Sequence, residues 1–467
     1  MTVTDYLFWR LTSSTPRSLR QRVATGRTVS GMASWAIGTP RAALSSASLW
    51  LVAGSIIFFA LIVRVPSASA TDYYVNRQTG NNSASGTQAE PFRTLGQATR
   101  LLKPGDRLFI AGGTYREHLV LANSGTAQQP ITIVGEGRPV IEADQDAILI
   151  SGSYVDVSGF EAQAIGTGSA ILVAENNHHV RILNNVARDS GCAGIGVIQA
   201  DYVVVEGNRV FGNAGRSPWQ CSGISIYQPV NFDHAPGAHN IIRRNLIYNN
   251  MNIVVDENIS HSSGNTTDGD GIIIDDGRHT QGKLGGAPYD GSTLIENNIV
   301  VDNGGRGIHV FESDNVIVRN NTSYHNLTDR NLQSRGTQGE FSAIEARNVR
   351  FVNNIAVPLD RTLAGFVAAE VTGSNVWNYN LIEGGAVPEQ AASQSGWGPN
   401  NILRSTGADF VAPSTDVASA DFHLRAGSLA IGAGSVGDAP RDDFSGAPRP
   451  TGGPIDLGAL QSSRAAP

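Results

Sequence analysis

Self-similarity constrains this chain more than any other feature. A segment of alternating apolar residues ending in asparagine recurs through its middle. The copies read Val-Arg-Ile-Leu-Asn184-Asn185, Val-Val-Val-Glu-Gly-Asn208 and Ile-Ile-Arg-Arg-Asn245, then Leu-Ile-Glu-Asn297-Asn298, Val-Ile-Val-Arg-Asn320-Asn321 and Arg-Phe-Val-Asn353-Asn354. Asn185 to Asn208 and Asn298 to Asn321 are both 23 residues apart. The longer gaps read as the same turn with a loop inserted. A unit of this size cannot bury its own apolar face, so stacked copies must share one core. Asparagine at a fixed corner stacks into a ladder of amides and tolerates the left-handed backbone of a sharp turn. An antiparallel sandwich gives no reason for asparagine at a fixed register.

A second block follows each asparagine: Cys192-Ala-Gly-Ile-Gly-Val, Cys221-Ser-Gly-Ile-Ser-Ile, Gly269-Asp-Gly-Ile-Ile-Ile and Gly305-Arg-Gly-Ile-His-Val. Each reads as a short strand with alternate apolar residues. Cys192 and Cys221 hold the same position in successive repeats. Parallel neighbours lie ~4.8 Å apart, within the reach of a disulfide, so a Cys192–Cys221 bridge is predicted; two buried thiols are the alternative.

Composition agrees with a turn-rich β fold: 53 glycines, and only two lysines, Lys103 and Lys283. Residues 1–70 carry seven arginines and one acid, which leaves the rest of the chain at −13. An acidic body argues against nucleic acid as a partner. A polyanionic ligand then requires a local basic patch or a bridging cation. Within 1–70, arginines precede the apolar run Ser48 to Val63, and Ala68-Ser69-Ala70 follows it. That pattern is an export signal, cleaved or kept as a membrane anchor. It places the body outside the cytoplasm, secreted or periplasmic, with the membrane touched only through this segment.

The remaining organisation is read as 71–130, an N-terminal cap and first coils; 131–385, the repeats with inserted loops; and 386–467, an irregular tail packing on the far end. Thr94 to Leu102 has Leu95, Ala98, Leu101 and Leu102 apolar and stops at Pro104-Gly105. It is the predicted capping helix, since an open solenoid end needs a cover. The expected assembly is a monomer.

Phe92-Arg-Thr-Leu, Lys103-Pro-Gly-Asp-Arg-Leu, Gly112-Gly-Thr-Tyr-Arg-Glu117, the Asn-Asn coils and the ending Phe422-His-Leu-Arg-Ala-Gly-Ser-Leu together resemble bacterial right-handed parallel β-helix proteins. The resemblance covers about 71–461. It implies an all-β right-handed solenoid, and polysaccharide lyases, C5-epimerases or glycoside hydrolases acting on acidic polysaccharides, several of the lyases with calcium and a Lys or Arg base. Lys283 sits in a loop and aligns with no lyase lysine.

In Gly-Ile-x-Ile both isoleucines point inward and x points out. The first outward row then reads Ala193, Ser222, Asp270, Arg306. The middle row reads Gly196, Ser225, Ile273, His309, with Glu345 next. The third reads Ile198, Tyr227, Asp275, Phe311. Asn252 to Asn258 is a possible extra coil before Asp268. The densest set of ionisable and aromatic groups thus lies around Asp268, Asp270, Asp275, Asp276, Arg306 and His309, beside the long loop Arg278 to Pro288 that carries Lys283. Three readings stand. In β-elimination, Asp268, Asp270, Asp275 and Asp276 offer oxygen ligands for calcium, and Arg306, Lys283 or His309 serves as base or carboxylate clamp. In hydrolysis, Asp270 and Asp275, or Asp275 and Glu345, form the carboxylate pair. Without catalysis, Trp219, Tyr227 and Phe311 are stacking platforms for a bound glycan. Asp-Gly turns and solvated ion pairs explain each residue singly; the cluster is the argument. Alanine at Arg306 or Asp270 is expected to remove activity and leave folding intact.

Overall fold

The computed structural model describes residues 70–462, apart from 256–263, 282–285, 384–395 and 405–409. The export segment and Lys283 lie outside the described residues. The rest winds as a right-handed parallel β-helix. Among the described residues, each coil contributes one strand to each of three parallel sheets of eleven, eleven and nine strands. Coil by coil the chain visits the first sheet (Val180 to Leu183 in one coil), the second (Val186–Arg188) and the third (Ile195–Ile198). Inward isoleucines and valines from all three stack into one continuous apolar core from Val75 to Ile382. The helix Leu95–Thr99 buries Leu95 and Ala98 at the N-terminal end. It is shorter than predicted, and Leu101 lies outside it, 39% exposed.

The Asn-Asn pair divides its labour. The first position takes the left-handed corner: Asn184, Gly207, Arg244, Asn297, Asn320 and Asn353 all have φ between 52° and 69°. The second position makes the ladder. Asn185, Asn208, Asn245, Asn298, Asn321, Asn354 and Asn380 each donate a backbone N–H to the next coil's asparagine oxygen at 2.9–3.0 Å. A second ladder, which the sequence reading missed, runs five residues further on through Ser190, Asn213, Asn250, Asn303 and Asn326. It ends on the carboxylate of Glu340. Buried amides at both corners are thus satisfied along the stack, as a dry interior requires.

The predicted Cys192–Cys221 disulfide is present, with Cα atoms 5.2 Å apart in adjacent coils. The chain after 410 does more than close the far end. It runs back along the flank, where Phe410, Phe422, Leu424, Leu457 and Leu460 pack on outward residues of the second sheet such as Val301, Tyr324 and Ile355. Arg449 reaches Asn297 at 3.0 Å, and Asp442 pairs with Arg244 at 3.0 Å.

Candidate functional site

The third sheet carries the cluster. Strand Ile272–Asp275 pairs directly with Ile224–Tyr227 on one side and Ile308–Phe311 on the other. No extra coil intervenes at Asn252, and Tyr227, Asp275 and Phe311 are register neighbours as read. Ser225, Ile273 and His309 form the middle row, again as read. The next member is Ser342, not Glu345. Glu345 lies one residue past the strand Gly339–Ile344, at a corner with φ 50°. The long loop after Asn326 hid the register, although Phe341-Ser-Ala343 has the required alternation.

Arg306 organises the site. Its backbone N–H donates to Asp270 Oδ1 at 2.5 Å, Nε donates to Gln338 Oε1 at 2.9 Å, and Nη1 donates to the Thr267 carbonyl at 2.8 Å. Nη1 also lies 3.5 Å from Asp270 and 3.7 Å from Asp268. Among the described residues, Nη2 has no hydrogen-bond partner and is not sealed off. Asp270 is fully buried, and its Oδ2 has no partner. Asp268 keeps 16% of its side-chain surface. Two carboxylates therefore share one cation in a poorly solvated place. Burial and the neighbouring Asp270 push the Asp268 carboxyl well above the usual carboxylate range. Burial raises Asp270 too, but Arg306 opposes it. Of the two, Asp268 is displaced further toward the protonated form.

His309, one turn of the pleat further along the strand, is 3% exposed. Its Nδ1 is 2.7 Å from Ser342 Oγ, and its ring stacks on Phe311 with centroids 5.5 Å apart. Burial, then the Arg306 charge, hold it well below the ordinary histidine value. The imidazole is neutral at pH 7, and Nε2 carries no protein partner. A neutral imidazole, a carboxyl raised above its usual range and a guanidinium with one uncommitted nitrogen thus lie in two adjacent coils of the third sheet. Ser342 and Gln338 are the site residues that sequence reasoning missed.

The four aspartates do not form one ligand set. Asp275 accepts from Gln281 Nε2 at 2.6 Å. Asp276 is fully buried at a left-handed corner and accepts from Gln228, Thr280 and Gln281. Its oxygens pin the turn. Among the described residues no group of three or more His, Cys, Asp or Glu side chains is placed to hold a metal ion. The donors present do not fit the expected calcium. Trp219 is half-buried in the loop before the second Cys, and its backbone N–H donates to Ser217 Oγ at 3.2 Å. Burial also corrects the expectation for alanine variants. Removing either member of the Arg306–Asp270 pair leaves a buried charge uncompensated, which costs about 3–5 kcal/mol. Such variants report on folding as well as activity.

Residues 73–348 match the family described as Pel9A-like, right handed beta helix region. Pectate lyase L of Thermoclostridium stercorarium is 23% identical over 275 residues, 53% of this chain and 22% of that protein. The uncharacterized protein YwoF of Bacillus subtilis is 32% identical over 147 residues, 26% of this chain and 31% of that protein. The chain therefore spans under a third of either relative's length. The crystal structure of pectate lyase Pel9A superposes with a TM-score of 0.47 at 17% identity, covering 84% of this chain and 96% of that one. With more than half of its length matched, this chain belongs to the Pel9A-like right-handed β-helix family.

Proposed function

We propose that this protein is a polysaccharide lyase that opens a uronate-containing chain by β-elimination. The observation that carries the reading is the grouping of Arg306, His309 and Asp268 in two adjacent coils of the third sheet, with His309 lowered and Asp268 raised in the directions that favour the neutral forms the reaction uses. Arg306 Nη2 pairs with the sugar carboxylate and lowers the cost of negative charge developing there. Neutral His309 takes the C5 proton at Nε2. The electron pair left at C5 forms the C4–C5 double bond, the C4–oxygen bond breaks, and the leaving oxygen takes its proton from Asp268. Phe311, stacked on His309, presents an aromatic surface to a pyranose ring.

Hydrolysis has less support. It needs two carboxylates facing each other across an open groove, whereas Asp270 is sealed behind Arg306 and Glu345 is off the row. The Arg-rich, apolar leader in 1–70 and the disulfide support a location outside the cytoplasm.

The test is ultraviolet absorbance of the unsaturated uronate, using the full chain, His309→Gln, Asp268→Asn and Arg306→Lys on a panel of polyuronates. Rising absorbance in the wild type and its loss in His309→Gln support the lyase. New reducing ends without absorbance mean hydrolysis. Exchange of the C5 hydrogen with solvent, with neither signal, means an epimerase, which shares the proton abstraction and omits the bond cleavage. Either of the last two outcomes overturns the proposal.

A further inference from the structure

A cleft of about 640 Å³ lies on the second sheet, not on the third that carries Arg306. Its walls hold three arginines, Arg138, Arg188 and Arg209, against one acid, Glu161. Such a concentration is a local exception on a body whose charge is −13. Arg188 is committed to Glu161 at 2.5 Å and Asp189 at 2.7 Å. The other two are not. Among the described residues, neither Arg138 nor Arg209 has a carboxylate partner.

Arg209 is nonetheless held still. Its guanidinium lies 5.3 Å from the ring centroids of both Phe211 and Tyr248, which stack 4.8 Å apart at 10°. Its Nε donates to Tyr248 Oη at 2.8 Å. The fork is thus fixed by ring contacts and one hydrogen bond, with both terminal nitrogens left to bind an oxyanion. Arg138 stands on a left-handed corner, φ 55°, three coils away. Three rises of the helix are on the order of 14 Å, more than one pyranose ring.

We propose that this cleft is a second binding site for an anionic glycan, in which Arg138 and Arg209 each take a carboxylate of the same chain and Phe211, in the strand of Arg209, lines the cleft beside it. It rests on the lyase reading only in naming the polymer as a polyuronate. The site would hold the polymer to the protein while the third sheet acts on it.

The experiment is affinity electrophoresis and calorimetry of the full chain with polygalacturonate and alginate. Methyl-esterified pectin serves as the discharged control. The variants are Arg138→Gln/Arg209→Gln and the charge-matched pair Arg93→Gln/Arg425→Gln, both exposed arginines elsewhere. Arg209→Lys keeps the charge and loses the fork. The expected result is about tenfold weaker binding in Arg138→Gln/Arg209→Gln, with a shallower salt dependence. The control pair retains its affinity, Arg209→Lys is intermediate, and circular dichroism is unchanged in all three. Equal weakening in both pairs would mean net charge alone and overturn the site, as would equal affinity in all proteins or no binding of either acidic polymer. Binding is read without turnover. A polymer bound here but never cleaved sinks the lyase reading alone. A polymer cleaved normally but bound independently of Arg138 and Arg209 sinks this site alone.

Discussion

Glu340 offers the sharpest test of how the interior handles charge. It is fully buried at the end of the second ladder. It accepts from Asn326 N at 2.9 Å, Asn326 Nδ2 at 2.6 Å and Ser323 Oγ at 2.6 Å. Burial outweighs these donors and pushes the carboxyl up from 4.5 to about 7. A raised acid means that the folded state holds the proton more tightly than the unfolded one. The stability it contributes is fully present below pH 4.5 and is lost as pH rises through about 7. The full span is about 3 kcal/mol, and about 2 kcal/mol of it falls between pH 5 and pH 7.5. Glu340→Gln removes the titration. It also places an amide nitrogen against Asn326 Nδ2, at a pH-independent cost of about 1 kcal/mol. Urea unfolding of both proteins at pH 5 and pH 7.5 isolates the effect, because all other groups cancel in the difference. The variant should be less stable at pH 5 and equal to or more stable than wild type at pH 7.5. Parallel curves at both pH values would refute the argument that ladder burial, not hydrogen bonding, sets this carboxyl.

Three further outcomes follow from the same geometry. His309 sits well below its ordinary value and must be neutral to act, so activity should persist as pH falls to 6.5 and the acid limb should lie below it, read from a kcat/KM profile. Asn298 donates to Ile242 O and Asn321 Oδ1 and accepts from Asn245. Asn298→Ala breaks a buried chain of amides and should cost about 2–4 kcal/mol by denaturant midpoint, far more than Asn400→Ala at the exposed end. Reducing Cys192–Cys221, which closes a separation of 29 residues, should lower stability by about 3–4 kcal/mol in a calorimetric scan with and without reductant.

The solenoid, the corner asparagines and the disulfide were legible because each is a periodic property; the handedness came from the family resemblance alone. A repeat announces itself without any knowledge of its neighbours in space. The rows built on Gly-Ile-x-Ile located Asp270, Arg306 and His309 correctly for the same reason. What failed was local. Glu345 was placed by counting through a loop whose length the pattern does not fix, so Ser342 was overlooked. Asp276 looked like a metal ligand because composition cannot tell an outward carboxylate from one folded back under a turn. The burial of Arg306 was also invisible: Gln338 and Thr267, which cover it, come from loops with no periodicity.

The strip of chain from Phe410 to Leu460 changes how the molecule must hold together. Coils that touch only their neighbours come apart piecemeal, each boundary failing at its own free energy. A strip that grips Arg244, Asn297, Asn320 and Asn353 at once denies them that freedom. Those coils stand or melt as a single cooperative block. That block includes the coils of Arg306 and His309, so the strip 410–460 braces the sheet that carries them.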